Sequence, residues 1–176
     1  NNMWATGRVL ASTKKPLENR VWYKYPGQNH PVAQGVSPFP SHVGRILGDG
    51  TTQLDQYQSV RGIMTQHIDP MGRIFDYNRA PNGIDLLSVT TGGQALFSAT
   101  YDNNHNIETL TDSSGGTSLY TYDSRGLLLT ATNALGETTT YGRTPTGNLN
   151  SIPSPLSATT TFAYNSQEQL VSATDS

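Results

Sequence analysis

The chain repeats itself every 21 residues, which limits it to folds assembled from stacked, similar units. Tyr101-Asp102 recurs 21 residues later as Tyr122-Asp123. Two more intervals lead to Tyr164-Asn165, with Arg143 as a degenerate copy between them. Other sets of positions keep the same step: Ile107, Leu128, Leu149 and Leu170; Asp112, Asn133, Ser154 and Asp175; Tyr120, Tyr141 and Phe162. Several sets in one register indicate tandem copies of one supersecondary unit.

Each period contains two turn signals, which divide it into two short extended segments. The first signal, Asp123-Ser124-Arg125-Gly126, separates the Thr-, Leu- and Tyr-containing segments 117–122 and 127–132. An Asp side chain can accept hydrogen bonds from nearby backbone amides, and Gly readily adopts a positive φ angle. The sequence therefore predicts a hairpin here. The second signal ends at Gly136 and returns the chain through residues 137–141.

The residue types between the turns favour strands over helices. Residues of a strand alternate between two faces, so Tyr120 and Tyr122 should share one face while Leu119 and Thr121 share the other. The all-Thr run at 138–140 has poor helix propensity and lies in no apolar stripe of helical spacing. We therefore predict an all-β fold of tandem β-hairpin repeats. They should form a continuous twisted antiparallel sheet, an open or spiralling shell or solenoid stabilised by ladders of equivalent side chains.

The repeats extend over the whole sequence but are less regular near its start. We predict a single run of about seven repeats over residues 1–176, clear at 44–176 and degenerate at 1–43. Residues 26–43 are rich in Pro, His, Ser and Gln and are predicted to form an insertion loop. The segment 77–83 is two residues longer than the equivalent segment of the regular repeat, so its turn should bulge.

These motifs resemble the RHS or YD-repeat family. The motifs that carry the resemblance are Tyr101-Asp102, residues 122–126, Asp69-Pro70-Met71-Gly72-Arg73, residues 133–141 and Gly147-Asn148-Leu149. The structural repeat positions are Tyr101, Asp102, Tyr122, Asp123, Gly126, Gly136, Tyr141, Gly147 and Tyr164. The resemblance implies an all-β strip that spirals into a hollow shell, as in bacterial insecticidal toxin complexes, polymorphic toxins and teneurins. Such shells lie outside the cytoplasm and enclose a toxic cargo or mediate adhesion.

The sequence departs from complete toxin shells of this family, which end in a motif resembling Asp-Pro-x-Gly-Leu-x-Gly-Gly and cleave themselves with an Asp. Asp69-Pro70-Met71-Gly72 has the first four letters, but it continues Arg73-Ile74-Phe75 and fits the ordinary repeat turn. No Gly-x-Ser-x-Gly nucleophile motif occurs either. We assign no catalytic residue and expect the chain not to be an enzyme.

Composition argues against several other classes. The net charge of −2 gives no basic surface for nucleic acid, and no apolar stretch is long enough to insert into a membrane. The chain has no Cys, and its four histidines, His30, His42, His67 and His105, lack metal-ligand spacing. The segment 102–106 offers oxygens for calcium, but turn formation explains it without an ion. We predict neither metal nor cofactor.

Aromatic residues near the start offer the strongest candidate for a binding site. Trp4, Trp22, Tyr23 and Tyr25 could form a platform on which a sugar stacks, although packing within the sheet is the favoured interpretation. The leading hypothesis is a non-catalytic extracellular or cell-surface scaffold, a shell, adhesin or fibre-forming segment. The alternatives are a carbohydrate-binding module, or a fragment of a polymorphic or insecticidal toxin-encapsulating shell. Expected partners are other copies or neighbouring repeats at open strand edges, and glycans.

Overall fold

A computed structural model describes residues 9–31, 33, 35–153 and 158–175, and the described residues form sixteen β-strands and no helix. The chain divides into two compact units, residues 1–94 and 95–176. The strand pairs within each unit are antiparallel and join strands that follow one another in sequence, with a break between Thr140 and Gly142. The predicted all-β fold of tandem antiparallel hairpins is confirmed.

The described residues of the first unit form a seven-stranded meander. Its strands are β1 (Ser12–Thr13), β2 (Val21–Lys24), β3 (His42–Ile46), β4 (Thr52–Val60), β5 (Ile63–Ile68), β6 (Ile74–Arg79) and β7 (Leu86–Thr91). The pairing of β6 with β7 shifts register between Asn78 and Arg79. The turn that follows closes with a hydrogen bond from the Ala80 amide to the Asp85 carbonyl, 2.9 Å. The same register shift occurs in the regular hairpins, for example between Thr121 and Tyr122, so it is not the predicted extra bulge. The turn closed by Ala80 and Asp85 is one residue longer than the turn closed by Asp123 and Leu127, which is less than the predicted two.

The second unit holds the regular repeats. Its first strands are β8 (Gln94–Tyr101), β9 (Ile107–Asp112), β10 (Thr117–Tyr122), β11 (Leu128–Thr132) and β12 (Thr138–Thr140). Four further strands form a sheet of their own: β13 (Gly142–Arg143), β14 (Leu149–Pro153), β15 (Thr159–Tyr164) and β16 (Leu170–Asp175). Tyr141 lies between the two sets, and its amide donates to the Leu129 carbonyl at 2.7 Å. Sheet pairing is thus interrupted at this repeat position.

The predicted hairpin at residues 117–132 is formed by β10 and β11. Tyr120 and Tyr122 are half-buried, whereas Leu119 and Thr121 are exposed, as alternation requires. Burial is shallow throughout the described residues, where the buried apolar side chains are Tyr25, Val89 and Ala99. Stability therefore comes from many strand pairs rather than from one deep core.

The predicted insertion forms the connection between β2 and β3. It spans residues 25–41, because His42 and Val43 already pair with Lys24 and Tyr23. The Val36 amide donates to the Pro26 carbonyl at 2.9 Å and closes the loop at its base. The loop then bends back over the sheet, where the Phe39 ring lies close against Gly62.

Candidate functional site: the junction between successive repeats

Each junction begins at a turn that is closed by its own first side chain. The Asp123 carboxylate accepts hydrogen bonds from the amides of Arg125, 2.8 Å, and Leu127, 3.0 Å, through one oxygen. The amide of Asp123 in turn donates to the Leu127 carbonyl at 2.9 Å. Gly126 has a φ angle of 78°, a conformation that L side chains rarely adopt. The Asp and the Gly of the repeat thus have separate roles in one turn.

The same arrangement recurs at five other turns. Two backbone amides are accepted in this way by Asp69, Asp102, Asp112, Asn133 and Asn165. The hydrogen bond from the Leu127 amide, together with those from Arg125, lowers the pKa of the Asp123 carboxyl, although desolvation opposes them. The carboxylates are therefore ionised turn caps at neutral pH.

Turn formation also accounts for residues 102–106, the segment considered as a calcium site. One Asp102 oxygen accepts from the amides of Asn104 and Asn106, and the other accepts from the Asn106 side-chain amide at 3.0 Å. Among the described residues, no group of three acidic or histidine side chains is placed to hold a metal ion.

A side chain at the end of each hairpin then ties one repeat to the preceding one. The Tyr122 hydroxyl donates to the Ile107 carbonyl at 2.9 Å, fifteen residues earlier (|i−j|=15). The Tyr164 hydroxyl donates to the Leu149 carbonyl at 2.8 Å across the same separation. The Tyr of the repeat thus contributes a hydrogen bond to the preceding strand as well as an aromatic ring for packing.

Arg143 makes the equivalent bond at the repeat where Tyr is missing. Its Nη2 donates to the Leu128 carbonyl at 3.1 Å, again fifteen residues earlier (|i−j|=15), and its Nη1 donates to the Gly147 carbonyl at 3.2 Å. The copy that looks degenerate in sequence therefore keeps the junction. Three successive junctions, at Tyr122, Arg143 and Tyr164, have the same connection.

Successive turns also touch directly. Arg125 Nη1 donates to the Pro145 carbonyl of the next turn at 3.0 Å. A side chain at Gly147 would place its Cβ 2.8 Å from a methyl group of Leu127, closer than such atoms pack. The repeat Gly at this position is therefore required both by its φ angle of 104° and by the neighbouring turn.

The exposed face of β8 to β12 is held by hydroxyl pairs between neighbouring strands. These pairs are Thr100–Thr109 at 2.8 Å, Thr111–Thr117 at 2.9 Å, Thr121–Thr130 at 2.6 Å and Thr132–Thr138 at 2.8 Å. Sequence reasoning missed them, although the Thr-rich alternation in each strand was the available signal. Cross-strand Thr pairs stabilise an exposed sheet without presenting an apolar surface.

The first unit has an aromatic stack that the sequence analysis did not identify. Tyr57, His67 and Phe75 lie in register on β4, β5 and β6. The centroid of the His67 ring is 4.8 Å from that of Tyr57 and 5.7 Å from that of Phe75. His67 Nε2 lies 2.8 Å from an Asp55 carboxylate oxygen, which makes an ion pair when the imidazole is protonated. The histidine is a packed member of the sheet.

Among the described residues, the aromatic side chains proposed for sugar stacking do not share one face. Trp22 is 52% exposed, and the guanidinium carbon of Arg20 lies 5.5 Å from its ring centroid. Tyr23 follows it in β2 and points to the opposite face. Tyr25 is buried, with its hydroxyl donating to the Leu10 carbonyl at 3.1 Å. Trp4 lies outside the described residues.

Other positions considered in the sequence analysis lie in strands and turns. Tyr101 ends β8 and is half-buried, and Gly136 has a φ angle of 83° in the turn before β12. His42 lies at the start of β3, 3.0 Å from the Ser41 hydroxyl through its Nδ1. In the part of the chain that the structure describes, no helix is long and apolar enough to cross a membrane.

Comparison with known families places repeats in the second unit. Residues 101–140 and 122–152 match the RHS Repeat family. No curated protein sequence matches the chain.

Solved structures share the fold. The crystal structure of TcdB2-TccC3 has a TM-score of 0.69 and 14% identity, covering 88% of this chain and 9% of that chain. The same values hold for TcdB2-TccC3 without its hypervariable C-terminal region. The Tc holotoxin pore of Photorhabdus luminescens has a TM-score of 0.64 and 14% identity over 88% of this chain and 9% of that one. At this identity the likeness concerns the fold, and the chain spans about a tenth of each protein.

Proposed function

Since residues 101–152 carry RHS repeats, we propose that the chain is a non-catalytic extracellular scaffold, a wall segment that joins further repeats at its strand edges. The wall would belong to a shell, an adhesin or a fibre. The observation that carries the proposal is the junction bond repeated at Tyr122, Arg143 and Tyr164. The bond recurs whether the donor is a phenol or a guanidinium, which supports a role for these side chains in joining one repeat to the next.

The edge strand β16 is the part of the second unit best suited to such joining. All six of its residues are exposed, including Leu170 at 55% and Val171 at 61%. Among the described strands, β16 pairs with β15 alone, so its outer backbone groups can accept another strand.

Sedimentation velocity over a range of concentrations tests this edge, with electron microscopy of the same samples. We expect association of the unmodified chain and its loss when Leu170 and Val171 are both changed to Lys, since charged side chains block edge pairing. Leu135→Lys is the matched control, because Leu135 is 84% exposed in a turn. A chain that stays strictly monomeric would rule out joining through its own edges and exclude a fibre.

The absence of catalysis is proposed from the environment of Asp69, the one Asp in a motif that partly resembles the cleavage motif. Asp69 is 8% exposed, and its carboxylate accepts hydrogen bonds from the Met71 and Arg73 amides and, at 2.6 Å, from Arg73 Nε. Burial favours a raised pKa, but these bonds and the Arg73 charge outweigh it and lower the pKa. An ionised carboxylate held in its turn is poorly placed as an acid. Intact mass after long incubation should not change, whereas cleavage that Asp69→Asn abolishes would overturn the proposal.

Two more specific functions are each favoured by one observation. The shared fold with TcdB2-TccC3 supports the more specific version in which the scaffold is part of a toxin-encapsulating shell. The exposure of Trp22 supports carbohydrate binding by a single ring. A glycan array tests carbohydrate binding when the unmodified chain is compared with Trp22→Ala. Binding that survives the substitution cannot use this ring. Cleavage by protease added to intact source cells tests the extracellular location.

A further inference from the structure

Two arginines line one cavity on the face of the first unit that also holds the aromatic stack. The cavity has a volume of about 440 Å³, and its lining includes Arg61, Ile63, Thr65, Tyr77 and Arg79. Two of its polar side chains are guanidinium groups, which only donate hydrogen bonds. Ile63 and the Tyr77 ring supply apolar surface beside them.

Arg79 has a donor that the fold leaves unused. Its Nη1 donates to the Ile84 carbonyl at 3.2 Å, which holds the side chain in place. Its Nε is buried and finds no acceptor among the described residues. A buried donor without an acceptor is uncommon, so the fold leaves the hydrogen-bonding capacity of the Arg79 guanidinium incompletely used.

Arg61 occupies a position that its residue type does not favour. It lies with Gly62 in the tight turn between β4 and β5, at a φ angle of 52°. Asn followed by Gly is the usual pair in such turns, because Asn tolerates positive φ better than Arg does. Residues in unfavourable backbone conformations cluster at functional sites. Within the described residues, no carboxylate forms an ion pair with Arg61.

The acidic side chains of the surrounding strands have other partners. Asp55 lies against His67, and Asp76 accepts from the Gln66 side-chain amide at 2.8 Å. Asp85 is not part of the cavity lining and accepts from the Asn82 side-chain amide at 2.6 Å. The cavity lining itself contains no acidic residue, so its charge is positive.

From these observations we propose that the cavity binds a small organic carboxylate. The guanidinium groups of Arg61 and Arg79 hold the carboxylate, since a planar fork of donors matches its two oxygens. The body of the ligand lies on Tyr77 and Ile63. A sugar acid and an aromatic acid both have this chemistry, and the test separates them.

The test is a titration of the isotope-labelled chain followed by amide NMR shifts. Sodium glucuronate and sodium benzoate are the acidic probes; glucose and benzyl alcohol are their neutral counterparts, all at one ionic strength. We expect saturable shifts in residues 60–65 and 77–83 with at least one acid and none with its neutral counterpart. The acid that binds more tightly identifies the ligand class. Absence of saturable shifts with both acids, or equal shifts with a neutral counterpart, would overturn the proposal.

Substitutions link the shifts to the cavity. Arg79→Gln and Arg61→Asn should each weaken binding about tenfold, the value of one charge-assisted hydrogen bond. Arg61→Asn also suits the positive φ angle, so it should fold at least as stably as the unmodified chain and lose only binding. Arg45→Gln, an exposed arginine of β3 outside the cavity, is the control and should bind normally. Unchanged binding by Arg61→Asn would assign the shifts to another site.

Discussion

Arg143 donates to the carbonyl oxygen of Leu128 at 3.1 Å, in the place where Tyr122 and Tyr164 use a phenol hydroxyl. Both chemical groups span the same fifteen residues of sequence (|i−j|=15). The repeat therefore conserves a bond between strands rather than a residue type. Substitutions at these positions should be judged by whether a donor of sufficient reach remains.

Changing Arg143 to Tyr or to Met tests this directly. Arg143→Tyr restores the usual donor, and we expect the free energy of unfolding to stay nearly constant. Arg143→Met keeps much of the length but has no donor, so it should cost about 1 kcal/mol. Urea unfolding monitored by circular dichroism measures both. Arg45→Met, in an exposed position of β3, is the control; a loss there equal to that at Arg143 would mean that side-chain length alone matters.

Removing one hydroxyl group isolates the junction bond from the ring that carries it. Tyr122→Phe should lower the free energy of unfolding by about 0.5–1.5 kcal/mol, because the Ile107 carbonyl loses its side-chain donor. Tyr120→Phe is the matched control, on the same face of the same strand. We expect a smaller effect there. Equal effects would show that the hydroxyl of Tyr122 contributes no directed bond.

The period of 21 residues was sufficient to predict the strands and turns, since a turn needs only a local Asp or Asn and a Gly. The role of Arg143 was not predictable in this way. Comparing equivalent positions of the repeat shows only whether the residue type is the same, and Arg at a Tyr position looks like a loss of the repeat. Its long side chain reaches the same carbonyl only once the strands are in register.

The aromatic stack was beyond sequence reasoning for a different reason. Tyr57 meets His67 only because the pairing of β4 with β5 shifts register between Gln58 and Ser59. A shift of one residue reverses which side chains share a face, and nothing in the composition of the strands reports it. Trp22 and Tyr23, in contrast, lie on opposite faces because they are adjacent in β2, which the alternation of side chains along a strand already predicts.

The turn caps should make stability depend on pH at the acidic end. The pKa of Asp123 is lower in the folded chain than its ordinary value of 3.8, through bonds from Leu127 and Arg125. A lowered folded pKa contributes stability that is fully present above the ordinary value and is lost as pH falls through the folded value. Tm should therefore fall on acidification. Asp123→Asn retains the acceptor oxygen but not the charge, so its Tm should fall less between pH 7 and pH 3.

The chain supplies the reciprocal test at Asn165, which caps its turn with a neutral side chain. Asn165→Asp should steepen the acid dependence that Asp123→Asn reduces. Its hydrogen-bond partner Gln169 is uncharged, whereas the Glu168 carboxylate in the same turn adds some repulsion to the new charge at neutral pH. Parallel pH profiles for all three proteins would mean that the turn carboxylates do not control acid stability.

The turn at residues 165–169 offers a prediction of increased stability. Glu168 has a φ angle of 61° at the position that Gly126 and Gly147 occupy in the other turns. An L residue in this conformation costs roughly 1–2 kcal/mol, and the entropy that Gly loses on folding offsets about half of that. Glu168→Gly should therefore raise the free energy of unfolding by about 0.5–1 kcal/mol. Gly126→Ala, the opposite change at the equivalent position, should lower it, and urea unfolding of the pair measures both. If both substitutions left the free energy of unfolding unchanged, the backbone conformation at this position would not contribute to the stability of these turns. The side-chain caps would then be their main source of stability.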